Sequence, residues 1–392
     1  MAWKERTVEQ MREEFVKRVL AHEKSKAALC REYGISRPTG DKWIKRYMSG
    51  KPLSNQSRRP LKVSGKINAE LEAEIVSVRR ANKSLGAVKI RKIMENSGYT
   101  NLPCAKTFNN IFNRNGLIEK EEHQAAIPYI RFEKDCPNEM WQADFKGHFR
   151  MEDGFRCHPL NVIDDYSRYN LCSEALLNET FSAVEPVFKR LFLEYGMPFS
   201  LLCDNGNPWG TSQSLGYSRF EVWLMELGIL TLHGRARHPQ TQGKEERYNR
   251  SFTRECLKGK QFENLIHAQQ CFEEYRKFYN EIRPHFALDL NVPSSRYSRS
   301  KKQMPNHISE WEYPQDYKLC KVKETGYFNY NGQGFFLSEA FAGKYIAVRE
   351  SHLHGQITLV FRQFKIGRID IQNRVYTLRR SYLLHGDPRL NV

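Results

Sequence analysis

Trp141-Gln142-Ala143-Asp144-Phe145-Lys146-Gly147 alternates apolar and polar side chains, the period of a half-buried strand. Asp144 falls on the same side as Gln142 and Lys146. Working outward, residues 157–163 read as a second strand that runs into Asp164-Asp165-Tyr166-Ser167-Arg168, and residues 169–176 as a third. Residues 181–195 put Val184, Val187, Phe188, Leu191 and Phe192 on one helical face and stop at Gly196 and Pro198. Residues 200–203 form a short apolar strand ending at Asp204-Asn205-Gly206, and a helix–strand pair follows over 220–232. A loop through His238 then leads to Glu245-Glu246-Arg247 at the start of a long basic helix. Strands in a meander, then strands alternating with helices, predict a mixed α/β sheet covered by helices.

The charge is unevenly spread around this centre. The 392-residue chain carries a net +17, with +14 in residues 1–120, −2 in residues 121–310 and +5 in residues 311–392. Basic flanks around an acid-retaining middle suit a polyanion held at the ends and chemistry done at the centre. No run approaches the ~20 apolar residues of a membrane span, and the opening Met1-Ala2-Trp3-Lys4-Glu5-Arg6 lacks the apolar core of a signal peptide. The nine cysteines are scattered, odd in number and without a Cys-x-x-Cys pair. That argues against a disulfide framework or a zinc ribbon and for a reducing compartment.

The basic N-terminal third reads as two helical units. Thr7-Val8-Glu9-Gln10 is a capping box, and Met11, Phe15 and Val19 line one face of the helix it starts. A second helix ends at Gly34-Ile35-Ser36, and a third turns Trp43, Ile44 and Tyr47 inward. Arg37, Lys42, Lys45 and Arg46 are left outward. Helix, helix, glycine turn and basic helix is the helix-turn-helix arrangement, whose last helix can enter a major groove. Residues 67–126 repeat the pattern, with Lys106 and Arg114 as the basic residues of the last helix. The linker over 51–66 is polar and basic, and its Arg58-Arg59-Pro60 suits a minor groove or a phosphate track. Ordinary helix bundles joined by a hinge remain the plainer alternative. Residues 311–392 alternate in short stretches separated by turns such as Asn331-Gly332 and His354-Gly355, which predicts a small β-barrel.

Asp144, Asp204 and Glu246 stand at strand ends and a helix start, where open α/β sheets gather ligands. Phosphoryl chemistry on DNA needs its negative charge neutralised and an oxygen nucleophile activated. Two hard cations held by carboxylates do both. Glu245, beside Glu246, is the alternative third acid; on a helix it points about 100° away from Glu246. Asp164 and Asp165 suit a turn cap with Ser167 better than ligation, and His238 and His285 suit loop and packing roles. Lys244, Arg247 and Arg250 are candidates to grip DNA beside the acids, with plain solvent-facing helix charge as the alternative.

These blocks resemble the integrase catalytic core shared by insertion-sequence transposases and retroviral integrases. The resemblance rests on Asp144 in its Trp-x-x-Asp strand, on Asp204-Asn205-Gly206, and on His238-Pro239-Gln240-Thr241-Gln242-Gly243-Lys244-Glu245-Glu246-Arg247. Tyr279-Asn280, Arg283-Pro284-His285 and Val292-Pro293 extend it. It implies a ribonuclease-H-like core over 127–310, and Gly-Lys-x-Glu-Arg gives Glu246 the third place of an Asp-Asp-Glu triad. It also implies Mg²⁺ or Mn²⁺ as two ions, double-stranded DNA at element ends and target, a homo-oligomer on DNA, and work in the bacterial cytoplasm at the nucleoid. The implied activity is cleavage of element ends and joining of their 3′-hydroxyls to target DNA. The domain plan is then a helix-turn-helix at 1–50, the linker, a second such unit at 67–126, the core, and the barrel at 311–392. One departure is the 41-residue gap between Asp204 and Glu246, longer than the family's usual spacing, with the extra length expected as a loop over 209–219. A helix-turn-helix regulator with a degenerate core, or a metal-dependent nuclease without strand transfer, are the rival readings.

Overall fold

The structure is a computed structural model that describes residues 7–55, 67–118, 133–210, 216–234, 243–351, 355–373, 375–377 and 382–383. The chain divides into two compact units, residues 1–68 and 69–392. The linker arginines Arg58 and Arg59 and the loop histidine His238 lie outside the described residues.

The first unit holds three helices, α1 (Val8–Leu20), α2 (Lys26–Glu32) and α3 (Arg37–Met48). Each begins where the sequence supplies a cap. Thr7 and Gln10 form a reciprocal capping box, and Ser25 and Ser36 accept from the backbone of Ala28 and Thr39. Gly34 takes φ +65° in the turn before α3. Phe15, Val16, Leu29, Cys30 and Trp43 close a small core. Gly40 lets α3 approach closely, since a Cβ there would stand 2.8 Å from the Cys30 sulfur and 3.0 Å from the Phe15 ring.

The second unit opens with three more helices, α4 (Ala69–Ala81), α5 (Ala87–Asn96) and α6 (Ala105–Arg114). They bury Ile75, Ile90, Met94, Phe108, Ile111 and Phe112. Lys89 on α5 lies 5.4 Å from the ring of Phe286, so this bundle touches the segment around residue 286 of the same unit.

A mixed sheet follows. Strand β1 (Met140–Phe145) pairs antiparallel with β3 (Arg156–Asp164), and β3 pairs antiparallel with the short β2 (Phe149–Arg150) and with β4 (Asn170–Leu176). On its other edge β1 runs parallel to β5 (Ser200–Cys203), and β5 runs parallel to β6 (Leu230–His233). Helices α7 (Phe181–Tyr195) and α8 (Arg219–Glu226) cover one aromatic core built on Trp141, Phe188, Phe192, Trp209 and Phe220. Helices α9 (Gly243–Phe252) and α10 (Leu265–Glu281) enclose a second core with Tyr248, Phe252, Phe272 and Tyr275. Every short connection here is antiparallel, and both parallel steps cross through a helix, as strand geometry demands.

The C-terminal part is open among the described residues rather than a closed barrel. A sheet runs β7 (Lys318–Lys321), β10 (Tyr345–Glu350), β11 (Gln356–Phe361), β12 (Phe364–Asp370), with β13 (Val375–Thr377) and β14 (Tyr382–Leu383) both on β12. Between β7 and β10, β8 (Tyr327–Tyr330) and β9 (Gln333–Phe336) form a separate hairpin. Closure would need that hairpin to hydrogen-bond the larger sheet; it packs by its side chains, with Phe328 and Phe335 in the shared core. That core also takes Tyr217, Val222, Met225 and Leu230, so it is continuous with α8 and β6.

The stretch expected as a longer loop over 209–219 is anchored near both ends. Trp209 is buried against Phe188 and Phe220. The Tyr217 hydroxyl donates to the Ile366 carbonyl at 2.6 Å, and the Ser338 hydroxyl donates to the Tyr217 carbonyl at 2.9 Å. Tyr217 therefore ties this stretch to the C-terminal sheet. None of the nine cysteines forms a disulfide. No helix among the described residues is long and apolar enough to cross a membrane.

Candidate active site

Strand register brings the two aspartates together. Gln142 on β1 stands opposite Leu202 on the parallel strand β5. Asp144 lies two residues further along β1 and Asp204 just past the end of β5, so both leave neighbouring strands at the same end, near enough for the Asp204 charge to act on Asp144. The Asp204 carboxylate accepts from the Gly206 amide at 3.0 Å, a local turn that holds it at the strand end. His233 supports the same corner, with Nδ1 2.6 Å from the Asp204 carbonyl oxygen and Nε2 2.9 Å from Glu221.

Helix α9 lies across this end of the sheet, and a run of polar side chains sets its rotation. The Asn249 amide donates to Asp144 at 2.9 Å, Asn161 donates to Asn249 at 2.8 Å, and the Ser173 hydroxyl donates to Asn161 at 2.8 Å. The Tyr248 hydroxyl closes the run 2.7 Å from Ser173. This network turns Glu245, Tyr248, Asn249 and Phe252 inward and leaves Glu246, Arg247 and Arg250 outward. Glu245 is only 2% exposed, and neither of its carboxylate oxygens has a hydrogen-bond partner among the described residues.

Electrostatics agree with crowding of like charge. Burial, then the neighbouring Asp204, pushes Asp144 up to about 6. Burial raises Asp204 as well, partly offset by its bond from Gly206 and by His233. Glu245 is driven well above the usual carboxylate range, first by burial and then by Asp144 and Asp204. Among the described residues no three His, Cys, Asp or Glu side chains stand close enough to hold an ion between them as they are. The donor set nonetheless fits a hard divalent cation: all-oxygen, acidic, partly buried, and with an orphaned carboxylate at its edge. Asp144, Asp204 and an α9 glutamate are the residues that would hold it.

The remaining candidates divide. Arg37, Lys42 and Lys45 are exposed on α3. Arg46 is half-buried, donating to the Ser54 carbonyl at 3.2 Å and lying 5.0 Å from the Trp43 ring. Lys106 is exposed on α6, whereas Arg114 is paired with Glu72. The Lys244 ammonium is paired with the fully buried Asp165 at 2.5 Å. Burial brings Lys244 down to about 8 in spite of this partner. Asp164 accepts from the Ser167 amide and hydroxyl, a turn cap. His285 is buried edge-on against Tyr279, a packing role.

Sequence reasoning missed Asn249, and it gave Asn280 and Arg283 a place in the resemblance but no structural role. The signal for Asn249 was its place four residues after Glu245 on a helix, facing the same way. Asn280 exchanges both of its amide groups with the backbone of Asn170, stitching α10 to β4. Arg283 forks onto Glu255 at 2.7 and 2.8 Å, both nearly buried.

Family models match four stretches of the chain. Integrase core domains cover residues 134–239 and 227–293, a helix-turn-helix domain covers residues 11–60, and an IS481 family transposase C-terminal domain covers residues 317–377. The chain is 26% identical over 240 residues to an insertion element IS407 protein of Burkholderia multivorans, covering 58% of this chain and 80% of that one. It is 22% identical over 259 residues to an insertion element IS476 protein of Xanthomonas euvesicatoria, covering 65% and 72%. Among solved structures, the HTLV-2 integrase catalytic core domain in complex with magnesium aligns with 42% of this chain and 99% of its own, at 14% identity and a TM-score of 0.31.

Proposed function

We propose that this insertion-element transposase, with its integrase core and helix-turn-helix domain, cuts the ends of its own element and joins them to target DNA. The side-by-side placement of Asp144 and Asp204 at one end of a mixed sheet, facing the acidic start of α9, carries this reading. A bound divalent cation would neutralise phosphate charge and acidify the attacking oxygen. The chain's own residues supply the rest. Asp144 and Asp204 present carboxylate oxygens from rigid strand ends, and Asn249 fixes the Asp144 rotamer. Glu246 completes the triad of the resemblance from the exposed side of α9.

In the first step a water oxygen bonds to the phosphorus at the element end, the bond to the 3′ oxygen breaks, and that oxygen leaves as a hydroxyl. In the second, this hydroxyl attacks a target phosphodiester in line, and the target's own 3′ oxygen leaves. No covalent bond to protein is needed. Residues 1–120 hold the double-stranded ends through exposed α3 cations Arg37, Lys42 and Lys45, with Lys106 on α6 and Arg247 and Arg250 beside the acids. Pairing two ends calls for more than one copy of the chain, working on DNA in the bacterial cytoplasm. The test is an oligonucleotide carrying the element end. Asp144→Asn should lose cleavage by at least 10³-fold while still shifting end DNA on a gel. Undiminished cutting by that variant refutes the assignment. A pre-cut end that is never joined to target DNA would reduce the protein to a nuclease.

A further inference from the structure

Asp165 joins three stretches of chain that lie far apart in sequence. Its carboxylate is fully buried and takes three donors: the Lys134 backbone amide at 2.8 Å, the Gln142 side-chain amide at 2.6 Å and the Lys244 ammonium at 2.5 Å. Gln142 stands two residues before Asp144 on β1, and Lys244 belongs to the first turn of α9. Asp165 itself follows the end of β3, and its own amide donates to the Met140 carbonyl at 2.9 Å. One carboxylate thus links the strand that bears an acid of the site to the helix turn that bears two more. Its neighbour Asp164 is occupied otherwise, with Ser167.

The first turn of α9 needs such a tie. Glu245 is buried there with neither oxygen partnered among the described residues, and it feels the like charges of Asp144 and Asp204. Repulsion between buried like charges is strong and drives this turn away from the strand ends. Further along the helix, Tyr248, Asn249 and Phe252 are held by the core and by the polar network. At the first turn, the buried pair of Lys244 with Asp165 opposes the repulsion. We propose that Asp165 and Lys244 are positioning residues, whose ion pair pins the first turn of α9 to the sheet and so sets how far its glutamates stand from Asp144 and Asp204. This rests on the catalytic reading above and deepens it by naming what holds the acid-bearing turn. The rival is a Lys244 that grips DNA, with Asp165 a passive neighbour.

The experiment compares full-length wild type, Asp165→Asn, Lys244→Met and the double variant. It measures single-turnover cutting of an element-end oligonucleotide, the Kd for that DNA, and hydrogen exchange of the α9 amides of residues 247–252 without DNA. Each single variant is expected to slow cutting by about tenfold or more, with Kd within about threefold of wild type. The double variant should match the slower single variant within about threefold, because both changes remove one tie. The α9 amides should exchange about tenfold faster or more in each variant, while those of β3 keep their protection. Should Asp165→Asn fail to fold by circular dichroism, Lys244→Met carries the test, since it leaves Gln142 and Lys134 on Asp165. Unchanged exchange in α9 overturns the inference whatever the cutting rate. Lys244→Met that weakens DNA binding by more than about tenfold, beside an Asp165→Asn that cuts like wild type, assigns Lys244 to DNA and also overturns it. If wild type itself fails to cut while α9 exchange responds as expected, the catalytic reading falls and the pinning of α9 stands.

Discussion

Asp144 pays in stability for its place. Its carboxyl is raised to about 6 in the fold by burial and by Asp204, against an ordinary value of 3.8. The folded state therefore holds this proton more tightly than the unfolded chain. Between those two values stability falls as pH rises, and above about pH 6 the full penalty, on the order of 2–3 kcal/mol, remains. Asn at 144 can still accept from Asn249 but carries no charge. Metal-free Asp144→Asn is thus expected to melt higher than wild type at pH 7.5, with a difference that shrinks toward pH 4. Thermal melts in a chelator across that range check it. A variant that melts lower at pH 7.5 would show that Asp144 is held as a structural ion instead. Asp144 and Asp204 were singled out in the sequence, Asp144 near the end of an alternating strand and Asp204 just past a short apolar one. Gly40 was not, because its reason is the distant pair Cys30 and Phe15.

At the scale of elements, the phase of α9 decides which acid faces the sheet, and no local pattern contains that phase. Glu245 and Glu246 are neighbours of identical chemistry; Asn161 on β3 and Ser173 on β4, more than 70 residues upstream of Asn249, select between them. Asn249→Ala removes the central link and strands both Asn161 and Asp144. The expected cost is about 1–3 kcal/mol in stability. Cleavage should fall by 10–100-fold, the range seen when a supporting partner of a ligand is lost. Normal cleavage by a folded Asn249→Ala protein would show that α9 keeps its phase by apolar packing alone. The strands and helices of the core, and its mixed sheet, were readable from alternation and from helix stops; the strand order was not read. The open C-terminal sheet was not, because turn spacing announces hairpins without saying which edges meet.

Whole-molecule behaviour follows from where the apolar cores end, which is not where the sequence punctuation falls. Residues 1–68 close their own core around Phe15, Leu29 and Trp43. Residues 311–392 share theirs with Val222, Met225 and Leu230, and Lys344 pairs with Glu226 at 2.5 Å. Two truncations should therefore behave differently. A chain starting at residue 67 is expected to stay soluble and melt cooperatively, and to lose end-specific DNA binding while keeping weak, salt-sensitive binding. A chain ending at residue 310 uncovers the outer side of α8 and leaves Tyr217 without its Ile366 acceptor. Each buried aliphatic side chain so exposed forfeits about 1.5–3 kcal/mol. Losing several exceeds the few kcal/mol by which a domain of this size is stable, so the shortened chain is expected to aggregate or melt at least 10 °C lower. Calorimetry and size-exclusion chromatography of both chains decide it. A well-behaved 1–310 chain would mean that the C-terminal sheet is an appendage, and that the residues inserted after Asp204 are not what binds it to the catalytic sheet.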